Sequence, residues 1–82
     1  MPNCTITHDD VLEDFVTLAA GVSLGGTVTV GEAAYLGMNA SVRQGLAIGS
    51  ESTVGMGAVV LQDVPAEATW AGVPAREIGA RA

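Results

Sequence analysis

Eighty-two residues allow one domain at most, and a domain that small buries little surface by itself, which favours assembly into an oligomer. Three arginines, no lysine and a net charge of −6 argue against nucleic acid or an anionic membrane as partner, because both need clustered cations. The chain is 49% hydrophobic but only 4% aromatic, with eleven glycines, a composition suited to a thin, regularly stacked aliphatic core.

The N-terminus lacks the basic-then-apolar pattern of a secretory signal, and no apolar run approaches the length of a membrane span. The single Cys4 has no internal disulfide partner. Together these features predict a cytoplasmic location.

From Ile6 onward every sixth residue is a branched aliphatic: Ile6, Leu12, Leu18, Leu24, Val30, Leu36, Val42, Ile48, Val54 and Val60. The residue two places earlier is small or apolar in almost every repeat (Cys4, Val16, Val22, Val28, Ala34, Ala40, Leu46, Ser52, Ala58), with Asp10 the charged exception. A helix cannot use a period of six, since sixth neighbours fall on different faces. A strand can, because residues two apart point the same way.

Glycine follows the aliphatic at Gly25, Gly31, Gly37, Gly49 and Gly55, where it is expected to supply backbone angles closed to other residues. Each hexapeptide is therefore read as one short strand and one corner. The pattern resembles the hexapeptide-repeat acyltransferases, in which three hexapeptides make one coil; the resemblance implies that residues eighteen apart stack, in the ladders Ile6–Leu24–Val42–Val60, Leu12–Val30–Ile48 and Leu18–Leu36–Val54. The repeat is expected to stop after Val60, where Asp63, Val64 and Pro65 open a different segment.

Two small groups of residues carry possible chemistry. His8, the only histidine, falls on a corner, with Gly26, Gln44 and Gln62 stacked above it. A base beside an open backbone N–H is what acyl transfer requires: one removes a proton, the other stabilises an oxyanion. The plain alternative is a polar corner residue beside a turn glycine. Ala20, Met38 and Met56 stack at another corner, where flexible thioethers suit an adaptable apolar wall or simple subunit packing. His8 and Cys4 alone do not make a zinc site, so no metal is expected.

The hexapeptide pattern, over residues 3 to 78, resembles the hexapeptide-repeat acyltransferases. Thr7-His8-Asp9-Asp10-Val11-Leu12-Glu13-Asp14-Phe15-Val16 looks like the segment around the catalytic histidine in the sialic acid O-acetyltransferase and bacillosamine N-acetyltransferase family. Asp10, Glu13 and Thr17 depart from the usual residues there. The run Gly57 to Pro65, followed by Ala71-Gly72-Val73-Pro74-Ala75-Arg76-Glu77-Ile78, is similar to the closing signature of the same family.

The resemblance implies an all-β, left-handed parallel β-helix of a little over three coils, over residues 1–64, with residues 65–82 as a C-terminal tail closing the cofactor site. It implies an acetyl-CoA-dependent acetyltransferase acting on an amine or hydroxyl of a sugar or nucleotide sugar, assembled as a homotrimer. His8 would be the base, Asp9 its orienter and Gly26 the oxyanion donor. CoA would lie along Gly26, Met38 and Met56 to Pro74, Ala75 and Arg76. Arg76 suits a phosphate; its alternative is a surface pair with Glu77, worth under about 1 kcal/mol. Relatives carry an N-terminal domain that helps hold the sugar, so the other expectation is a non-catalytic trimeric scaffold or a fragment completed by a partner.

Overall fold

The computed structural model describes Ile6 and residues 9–80, with Ala80 described for its backbone only. Nine two-residue strands follow the hexapeptide rhythm: β1 Val11–Leu12, β2 Thr17–Leu18, β3 Ser23–Leu24, β4 Thr29–Val30, β5 Tyr35–Leu36, β6 Ser41–Val42, β7 Ala47–Ile48, β8 Thr53–Val54 and β9 Val59–Val60. Two longer strands close the chain, β10 Ala68–Ala71 and β11 Arg76–Ala80.

Among β1 to β9, consecutive strands enter different sheets, and every third strand returns to the same one. The sheet orders are β1-β4-β7, β11-β10-β8-β5-β2 and β3-β6-β9. All the short strands pair in parallel, so the chain winds as a β-helix of about three turns. Leu12 pairs with Val30, which in turn pairs with Ile48. Leu18, Leu36 and Val54 form the second ladder, and Leu24, Val42 and Val60 the third. In most short strands the first residue faces outward and the second is buried, as strand alternation requires.

The core also takes the residue two before each aliphatic. Val22, Val28, Ala34, Ala40 and Ala58 are completely buried beside the ladders. Two polar residues occupy this inward column, each with an acceptor or donor in place. Ser52 Oγ donates to the Gly49 carbonyl at 2.6 Å. Asp10 Oδ1 accepts the Val28 N–H one coil higher at 2.8 Å.

The glycines after the aliphatics do not serve the purpose expected of them. Gly25, Gly31, Gly37, Gly49 and Gly55 keep ordinary negative backbone angles. They are small because the coil above is too close. A Cβ on Gly25, Gly31 or Gly37 would stand 2.6 Å from a backbone nitrogen of the next coil, and one on Gly49 only 2.3 Å. The left-handed conformation falls two residues later, at Phe15, Thr27, Ala33, Asn39 and Glu51, with φ between 58° and 64°, and at Gly21, Gly45 and Gly57.

Stacking also runs past Val60, where the repeat was expected to stop. Val64 bridges in parallel to Ile48, and Trp70 pairs with Val54. Each sits sixteen residues beyond its partner instead of eighteen, because the corner after Val60 is two residues shorter. Asp63 fills the gap: its Oδ1 accepts the Ala47 N–H at 2.9 Å. The chain then crosses the third sheet, where Val59 donates to the Gly72 carbonyl and accepts from the Ala75 N–H, burying Ala75. The Val73–Pro74 peptide in this crossing is cis. β11 returns antiparallel to β10.

Candidate functional site

The coil has three edges, and each has its own chemistry. The edge between the first and second sheets is acidic. It carries Glu13, Asp14, Glu32, Glu51 and Glu67, joined coil to coil by backbone bonds such as Glu51 N–H to the Glu32 carbonyl. Glu13, Asp14 and Glu32 line a shallow depression of about 290 Å³ there. The edge between the second and third sheets carries Met38 and Met56, 48% and 74% exposed.

The edge between the third and first sheets holds Gly25 and Gly26, then Arg43 and Gln44, then Leu61 and Gln62. Gly25 packs directly beneath Gln44. Gly26 is different: nothing lies within 4 Å of where its Cβ would be. Its carbonyl accepts the Gly45 N–H at 2.9 Å, and its own N–H donates no hydrogen bond among the described residues. The expectation of open space at Gly26 therefore matches the geometry. His8 lies outside the described residues. Asp9 is exposed at the lower end of this edge.

The upper end of the same edge opens into a cavity of about 460 Å³, lined by Leu61, Gln62, Trp70, Pro74, Ala75, Arg76 and Glu77. The cavity thus contains the Pro-Ala-Arg run singled out in the sequence. Arg76 is exposed and makes no ion pair with Glu77. Trp70, only 8% exposed, closes the end of the core, and its indole N–H has no hydrogen-bond partner among the described residues.

Met38 and Met56 stand on a different edge from Gly26. They cannot join the Gly26 site of their own coil, and only a second copy could bring them to it. Leu61 and Trp70 were missed as cavity residues: Leu61 reads as one more outward residue, and Trp70 lies beyond the regular repeat. No group of three His, Cys, Asp or Glu residues capable of holding a metal occurs among the described residues. Among the described residues no helix is long and apolar enough to cross a membrane.

No protein-family model matches the chain. Serine acetyltransferase from Salmonella typhimurium is 38% identical over 77 residues, covering 84% of this chain and 28% of that protein. Among solved structures, perosamine N-acetyltransferase from Caulobacter crescentus, in complex with CoA and GDP-perosamine, superposes with a TM-score of 0.94 at 37% identity. The match covers 96% of this chain and 38% of that one. The acetyltransferase domain of PglB from Neisseria gonorrhoeae, in complex with acetyl coenzyme A, gives a TM-score of 0.93 at 37% identity, over 95% of this chain and 38% of that one. The chain spans about a third of the length of these relatives. With its repeat, its stacked coils and these similarities, the chain belongs to the hexapeptide-repeat acetyltransferase family and forms that family's left-handed β-helix.

Proposed function

We propose that the chain uses acetyl-CoA to acetylate an amine or hydroxyl of a small sugar-type acceptor, working as a cytoplasmic homotrimer. The observation that carries this reading is the glycine edge, which runs from the open backbone at Gly26 up to the cavity around Arg76. An acyl donor needs an uncluttered reacting end and a cationic anchor at the other. Two structural neighbours that hold CoA or acetyl coenzyme A support the same ligand here.

In this reading His8 takes a proton from the acceptor as its nitrogen or oxygen attacks the thioester carbonyl. Asp9 orients the imidazole. The tetrahedral oxyanion is stabilised by the Gly26 N–H. Collapse breaks the carbon–sulfur bond, and the imidazolium returns the proton to the departing thiolate. Arg76, with Pro74 and Ala75, holds a phosphate at the far end. Met38 and Met56 of a neighbouring copy would form the apolar wall of the pantetheine groove, which gives the trimer a role in the site.

An acetyl-CoA turnover assay against amine and hydroxyl acceptors tests the reading, with His8→Ala as control. A chain that neither binds CoA nor transfers acetyl groups would be a β-helix scaffold instead.

A further inference from the structure

We propose that Arg43 determines acceptor specificity by binding an anionic group, carboxylate or phosphate, on the acetyl acceptor. This rests on the acetyltransferase reading above and extends it to the charge of the second substrate.

Five carboxylates share the acidic edge, whereas Arg43 and Arg76, the arginines among the described residues, both lie by the glycine edge, together with Asp9, Asp63 and Glu77. Arg43 is exposed and has no ion pair or side-chain hydrogen bond among the described residues. It is carried by a well-fixed backbone, since its N–H donates to the Val60 carbonyl at 3.0 Å. Immediately below it two glycines in a row leave the edge without side chains, and at Gly26 the space is open. An exposed guanidinium one coil above Gly25, and one residue along from the position above the open Gly26, is available to a ligand anion, which its planar fork can grip with two bonds.

Spacing separates the two sources of such an anion. Each coil adds about 4.8 Å. Arg43 therefore stands one coil above the Gly25–Gly26 notch, while the Arg76 cavity begins two coils above it, at Leu61 and Gln62. The uncharged pantetheine arm, extended, keeps the CoA phosphates roughly 15 Å from the thioester. With the thioester at Gly26, those phosphates reach the Arg76 level and overshoot Arg43. An anion gripped by Arg43 would therefore come from the acceptor.

The probes are glucosamine 6-phosphate and glucosamine, a pair differing only in the anionic group, titrated calorimetrically into the full chain saturated with CoA. The expected result is binding of the phosphorylated sugar at least ten-fold tighter than of glucosamine. Arg43→Ala should abolish that difference, Arg43→Lys should keep part of it, and CoA affinity should stay within about two-fold in both variants. Equal binding of the two sugars, no binding of either, or an undiminished preference in Arg43→Ala overturns the proposal while leaving CoA binding intact. A ten-fold loss of CoA affinity in Arg43→Ala overturns it by assigning the anion to the donor. Failure of the unaltered chain to bind CoA at all is a separate result, and it removes the underlying reading.

Discussion

Gly25 lies so close beneath Gln44 that a Cβ would stand 2.6 Å from the Gln44 backbone nitrogen, whereas its neighbour Gly26 has nothing within 4 Å. Two adjacent glycines on one corner thus have different reasons to be small. Gly25 is required by stacking. Gly26 is not, and its openness is available for chemistry.

A methyl group therefore separates structure from function at this corner. Gly25→Ala should destabilise the fold by about 1–3 kcal/mol, the usual cost of forcing atoms into a packed contact. Gly26→Ala should leave the melting temperature within a degree or two while lowering acetyl transfer. Equal thermal losses in the two variants would show that Gly26 is only a packing residue.

Asp10 gives a second stability prediction. Asp10→Ala leaves the Val28 N–H without its acceptor, at a cost of about 1–3 kcal/mol. Asp10→Asn retains an oxygen at the same place and should recover most of the loss. Chemical denaturation of the three proteins checks this. Equal destabilisation by alanine and asparagine would mean that charge, not the Val28 bond, is what matters.

His8→Ala should lower turnover by roughly 10²–10⁴-fold with little change in CoA affinity, as expected for a positioned general base. A rate retained within a few-fold would remove His8 from the chemistry and leave it as a polar corner residue.

The chain has a single tryptophan, and it lines the cavity. Adding CoA should therefore change the emission of Trp70 with the same dissociation constant that calorimetry gives. Calorimetric binding with an unchanged spectrum would put the ligand elsewhere on the coil.

Much of this architecture was legible in the sequence because one fixed step generates it. Leu12, Val30 and Ile48, or Leu18, Leu36 and Val54, can be paired by counting alone. Counting fails where the step changes. Val64 and Trp70 top their ladders after a corner shortened by two residues, so a reading at constant period loses them. The left-handed corner position is also hidden. Phe15, Thr27, Ala33, Asn39 and Glu51 share it with glycines, and so varied a set leaves no compositional mark. The glycines that do leave a mark answer to the coil above, a contact that exists only once the chain has wound. In the site, the openness at Gly26 and the Pro74-Ala75-Arg76 run were readable. That Met38 and Met56 occupy another corner was readable by the same count, since corners alternate in a fixed order around the coil.

The claim on which the functional reading depends is that CoA is held along the glycine edge with Arg76 at its phosphate end. Calorimetric titration of CoA into the unaltered chain and into Arg76→Ala tests it most directly. The account predicts saturable binding to the unaltered chain, and affinity roughly ten-fold or more weaker in Arg76→Ala, the loss of a charge-assisted contact worth about 1.5–3 kcal/mol, with melting temperature and oligomeric state unchanged. Equal affinity in the two proteins, or no binding to either, would contradict it.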